Sequence, residues 1–73
     1  MAKTEIKSEI TGAVWKILVA PGDSVAADDP VIVLESMKME IPVLAIDSGK
    51  VTEILVKEGD AISEGQTVAI LET

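Results

Sequence analysis

The sequence predicts an all-β fold: a small sandwich or flattened barrel of two antiparallel sheets with about four strands each. Three observations predict it. The core-forming residues are mostly β-branched, nine Ile and nine Val against five Leu, with Trp15 the only aromatic; such side chains are stiff at χ1 and pack well on pleated sheets. Short apolar runs alternate with Gly, Pro and Asp, and no helical period is sustained. Finally, the chain repeats itself. Residues 12–35 (GAVWKILVAPGDSVAADDPVIVLE) align without a gap with residues 49–72 (GKVTEILVKEGDAISEGQTVAILE), at a constant offset of 37.

The identical pairs are Gly12/Gly49, Val14/Val51, Ile17/Ile54, Leu18/Leu55, Val19/Val56, Gly22/Gly59, Asp23/Asp60, Val31/Val68, Leu34/Leu71 and Glu35/Glu72. Two copies are too few to stack as a solenoid. They are expected to close on each other about a pseudo-twofold axis, as repeat units 1–36 and 37–73 of one 73-residue domain.

The elements follow in order. At the same offset Thr4–Ser8 matches Ile41–Ala45, and both read as the first strand of a unit. Trp15, Ile17 and Val19 then alternate with Lys16 and Leu18, and Ile54 and Val56 with Glu53 and Leu55, the period of half-buried strands. Val14 and Val51 break that parity, which predicts a kink or bulge near each leading glycine. Gly22-Asp23 and Gly59-Asp60 read as turns, because glycine supplies positive φ and aspartate bonds nearby backbone. Closing strands begin at Val31 and Val33, and at Val68 and Ile70, and end at Glu35 and Glu72.

The junction Ser36-Met37-Lys38-Met39 matches the two chain ends, so the twofold relation puts it at the end of the barrel opposite the termini. Periodicity leaves two residues, Met37 and Lys38, for the reversal. Two-residue hairpin loops favour Asn-Gly, Asp-Gly or a leading Gly, and this loop has none of them. Placing such residues at positive φ costs about 1–3 kcal/mol each, and a local rule is broken where function constrains the residue. By composition Met37 and Met39 are core fillers; at a hairpin tip they are instead a soft apolar surface flanking a lysine. Lys16, Lys50 and Lys57 fall at outward strand positions or turns, and Lys38 alone occupies the tip. Glu35 and Glu40 flank it, either as solvated cross-strand neighbours or as recognition residues.

Composition excludes much else. With no Cys and no His, disulfides, thiolate metal sites and Ser-His-Asp or Cys-His nucleophiles are impossible. No catalytic or metal-ligating set is expected. There is no Arg, and the net charge of −7 opposes nucleic acid and anionic membranes. No apolar run approaches a membrane span. The N-terminal run lacks the apolar stretch of a signal peptide, so the chain reads as cytoplasmic and, at this charge, monomeric.

Glu35-Ser36-Met37-Lys38-Met39-Glu40 resembles the attachment motif of the biotinyl/lipoyl family, in which Met flanks the modified Lys. The resemblance covers nearly the whole chain, including the Gly12…Gly22-Asp23 and Gly49…Gly59-Asp60 frames, and is nearest to small stand-alone biotin/lipoyl attachment proteins. It implies a flattened eight-stranded barrel of two quasi-symmetric halves. It also implies a carrier rather than an enzyme, with biotin joined to Lys38 by a biotin protein ligase that recognises Met37, Met39 and Glu35. The carried carboxyl group would move between biotin carboxylase and carboxyltransferase sites.

Two departures stand out. Glu9-Ile10-Thr11-Gly12 replaces the Pro-Met-Pro-Gly of many members, and Val19-Ala20-Pro21-Gly22 leaves no room for the protruding loop that some carry. Two other readings compete: a lipoyl carrier, whose tip is usually Asp-Lys-Ala, and an unmodified docking barrel. A lysine amine is ordinarily protonated at neutral pH, so a ligase must supply the base.

Overall fold

A computed structural model describes residues 2–73, which form eight strands and no helix. The strands are β1 (Lys3–Lys7), β2 (Gly12–Ile17), β3 (Ser24–Val25), β4 (Pro30–Ser36), β5 (Met39–Leu44), β6 (Gly49–Ile54), β7 (Ala61–Ile62) and β8 (Thr67–Glu72). They make two four-stranded sheets. One, here the terminal sheet, runs β1-β8-β6-β3; the other, the hairpin sheet, runs β5-β4-β2-β7. Every recorded strand pair is antiparallel.

Each sheet takes two strands from each repeat unit, so the units interlock rather than lie side by side. The exchange is made by the edge strands: β1 pairs with β8 and β5 with β4, and the two-residue strands cross as well. β3 of the first unit pairs with β6 through Ser24↔Lys50 and Val25↔Gly49, and β7 of the second pairs with β2 through Gly12↔Ile62 and Ala13↔Ala61. The Gly-Asp turns clip across in the same way. Gly22 N–H donates to the Val51 carbonyl (2.7 Å) and Gly59 N–H to that of Val14 (2.8 Å).

The turns have the chemistry expected. Gly22 and Gly59 sit at φ 99° and 92°. The Asp23 carboxylate accepts from the Ala20 N–H, and that of Asp60 from the Lys57 N–H, each at 2.9 Å.

The core repeats about the same axis. Val14 and Val51, Val31 and Val68, Leu34 and Leu71, Val25 and Ile62, and Ile32 and Ala69 are all buried. Gly12 and Gly49 let neighbouring strands of each sheet approach closely. A Cβ on Gly12 would lie 2.7 Å from the Glu35 carbonyl oxygen, and one on Gly49 would lie 2.6 Å from that of Glu72. Where Pro-Met-Pro-Gly is replaced, the buried Ser8 shapes the path into β2: its hydroxyl donates to the Ile10 carbonyl (2.6 Å) and accepts from the Ile10 N–H (3.1 Å).

One expectation needs correcting. Trp15 does not alternate inward with Ile17 and Val19. The register shifts between Val14 and Lys16, and again between Val51 and Glu53. The extra residue of each bulge keeps Val14 inside and turns Trp15 to the surface, where it is 45% exposed and Lys16 Nζ lies 5.4 Å from its ring centroid. β2 and β6 also end earlier than the alternation suggests, at Ile17 and Ile54. In the closing strands Ile32 and Leu34 point fully inward, while Val33 and its counterpart Ile70 are half-buried.

The paired core gives a paired prediction. Leu34→Ala and Leu71→Ala are each expected to lower stability by about 2–5 kcal/mol. Urea denaturation should show the two losses to be similar, since both side chains are fully buried at equivalent positions; a loss from only one would contradict the symmetric core.

Candidate functional site

β4 and β5 form a ladder of six pairs, from Pro30↔Leu44 to Ser36↔Met39. The register leaves Met37 and Lys38 as the whole loop. Both take positive φ, 51° and 66°, which is the signature of a type I′ turn. This is the turn whose right-handed twist matches that of the flanking strands, and the one for which Asn-Gly is the usual sequence. The chain therefore holds two β-carbon-bearing residues in a left-handed conformation. What holds them is β4, anchored by fully buried Val31, Ile32 and Leu34.

The tip projects into solvent. Met37 is 92% exposed and Met39 62%, so neither methionine fills the core. Lys38 is exposed too, but so are Lys3, Lys7, Lys16, Lys50 and Lys57. Exposure does not single out Lys38; the constrained turn and its two methionines do. Glu35 and Glu40 are exposed and directly opposite each other, one pair below the tip. Two like charges facing each other on a sheet are destabilising.

The connections place this tip opposite the chain ends. Ala2 and Thr73 exchange backbone hydrogen bonds (Thr73 N–H to the Ala2 carbonyl, 2.9 Å), at the positions equivalent to Met39 and Ser36. From there the β1–β8 ladder runs to Ser8, whose N–H meets the Gln66 carbonyl at 2.9 Å. Thr11 Oγ1 accepts from the Glu64 N–H nearby. The next residue, Gly12, packs against Glu35 and Ser36 below the tip. Among the described residues no group of His, Cys, Asp or Glu is placed to hold a metal, and no helix is long and apolar enough to cross a membrane.

A body of two interlocked sheets that offers a lysine on a constrained tip, at the end away from its termini, has the form of a carrier domain. Comparison with known proteins gives that class its family. Residues 3–71 match the family model described as "Biotin-requiring enzyme". The chain is 40% identical over 67 residues to the biotinylated protein TB7.3 homolog of Mycobacterium leprae, covering 92% of this chain and 94% of that one. It is 43% identical over 63 residues to the biotin/lipoyl attachment protein of Bacillus subtilis, covering 86% of each. Among solved structures, urea carboxylase of Kluyveromyces lactis contains a segment with a TM-score of 0.93 and 44% identity; the match covers 99% of this chain but 6% of that one. The chain belongs to the biotin/lipoyl attachment family, and it is a biotin carboxyl carrier domain, a non-catalytic component of biotin-dependent carboxylation.

The tip geometry makes a prediction of its own. Replacing Met37-Lys38 by Asn-Gly is expected to raise stability by about 1–3 kcal/mol, because the new residues take positive φ with less strain. An unchanged or lowered urea midpoint would mean that the turn is not strained by its present sequence.

Proposed function

We propose that Lys38 is the biotin attachment residue, joined through an amide made by a biotin protein ligase, and that residues 1–73 act as one carrier domain. The observation that carries this is the left-handed two-residue tip, which holds the lysine between two exposed methionines. The tip has room for the group: Lys38 stands in solvent at the end of a ladder rather than in a cleft. Biotin, once bound, supplies the ring nitrogen that accepts and releases a carboxyl group.

The chain's own contribution is mechanical and electrostatic. The anchored β4–β5 ladder holds the Lys38 backbone in one conformation, which lowers the ordering cost when an enzyme engages it. Met37 and Met39 offer a soft, polarizable surface that adapts to more than one partner, and Glu35 adds a charge for recognition. Acylation converts an ammonium to a neutral amide, taking the formal charge from −7 to −8. The lysine and its adduct form an arm on the order of 10 Å or more, and the tethered group meets successive sites at high effective concentration without diffusing away. Those sites are a biotin carboxylase and a carboxyltransferase. The domain would act as a monomer, for which its charge is favourable, and in the cytoplasm, where a cysteine-free chain has no disulfide to lose.

A second reading, lipoate in place of biotin, is raised by the similarity to the biotin/lipoyl attachment protein of Bacillus subtilis. One experiment separates the two. Co-expression with a biotin protein ligase should yield a streptavidin-binding protein whose intact mass carries one biotinyl group. Lys38→Arg should abolish the label, since arginine keeps the charge but is not acylated. A lipoyl mass would decide for the second reading, and persistent biotin on the Lys38→Arg variant would exclude Lys38.

A further inference from the structure

The internal duplication gives each sheet a control in the other. At buried positions the two units carry equivalent apolar residues. On the outer faces they differ, apart from Val33 matched by Ile70 and Glu35 matched by Glu72. The row next to the tip on the hairpin sheet is Ala13–Glu35–Glu40; its counterpart on the terminal sheet is Lys50–Glu72–Lys3. The second row joins Trp15 and Lys16 of β2 to Val33 of β4 and Pro42 of β5. Its counterpart is Thr52 and Glu53, Ile70 and Glu5. One step further along the edge strand, Leu44 stands where the terminal sheet has Lys7.

Trp15 and Leu44 are 45% and 41% exposed, and Pro42 is exposed as well. The fold therefore tolerates Thr, Glu and Lys at these places, since its own second half uses them. Folding alone does not account for Trp15, Pro42 and Leu44 extending the apolar surface around Val33 on one sheet only, and that sheet is the one bearing Lys38.

We infer that the outer face of the hairpin sheet, built on Trp15, Val33, Pro42 and Leu44, is the docking surface for the biotin protein ligase. This rests on Lys38 being the attachment residue. The occupant follows from reach. A bare lysine side chain extends only about 6 Å from its Cα, so an enzyme holding its amine must sit against the end of the barrel. Pro42 lies three residues beyond Met39, about 10 Å along β5, within the footprint of such an enzyme. A carboxylase is reached through the longer, modified arm and need not approach so closely. The row between patch and tip carries the opposed carboxylates of Glu35 and Glu40, so the ligase surface facing it is basic, bordering an apolar area that meets Trp15 and Pro42.

The test uses the full chain and a purified biotin protein ligase, with labelling followed by intact mass. Trp15→Thr/Pro42→Glu/Leu44→Lys gives the hairpin sheet the terminal sheet's residues and leaves Met37, Lys38 and Met39 alone. The expected result is a fall in kcat/KM for biotinylation of about tenfold or more, carried by KM, with kcat at saturating carrier retained. Trp15→Thr alone should show part of the loss, which keeps the test open if the triple variant folds poorly by urea denaturation. Glu5→Ala/Lys7→Ala, on the terminal sheet, should leave kcat/KM unchanged. Equal kcat/KM for parent and hairpin-sheet variants, or an equal fall in the terminal-sheet control, would overturn the proposal. So would sedimentation showing a dimer of the parent that the same substitutions dissociate, which would give the face to a second copy. A parent that takes no label at Lys38 would instead overturn the attachment reading on which the docking face depends.

Discussion

The pairing of Ser36 with Met39 leaves the chain two residues in which to reverse. Everything distinctive about the tip follows from that limit. A two-residue reversal between twisted strands requires left-handed backbone, so Met37 and Lys38 adopt it without glycine or asparagine to ease the strain. The strain is sustained because β4 cannot slip. A one-residue change in register would carry Leu34 and Ile32 out of the core and their neighbours in. Gly12 reinforces the same point from the next strand, packed so closely on the Glu35 carbonyl that no β-carbon fits. The lysine is thus positioned by the burial of residues several places away, not by contacts of its own.

The duplication supplies the body that makes this possible. A 73-residue chain has little core to spare, and interlocking the two units through the edge strands β1, β3, β5 and β7 gives every strand at least one partner from the other unit. The pseudo-twofold axis also fixes the layout. The junction of the units and the meeting of the chain ends occupy equivalent positions on opposite sheets, one a covalent turn and the other the Ala2–Thr73 backbone pair. A domain of this form can be held at one end while its lysine works at the other.

Much of this was legible in the sequence because it depends on local chemistry. The Gly-Asp turns, the offset of 37, the irregularity near each leading glycine and the two-residue tip are all written as residue types at fixed spacings. The orientation of Trp15 was not. A bulge adds one residue and reverses the parity that alternation relies on, and the pattern does not say on which side of the bulge a large side chain falls. β3 and β7 are two residues long and exist only through partners in the other unit, so no periodicity marks them. The contrast between the outer faces was hidden for a related reason. Trp15, Val33 and Pro42 are scattered along the chain and become neighbours only when the register of three strands is known.

Geometry rather than exposure distinguishes Lys38 from the five other lysines, since all six are exposed. The most direct test is peptide mapping of the protein isolated from its native host. Biotin confined to the peptide containing Lys38, with Lys3, Lys7, Lys16, Lys50 and Lys57 unmodified, is the predicted result. Biotin on any of those five, or distributed among them, would contradict it.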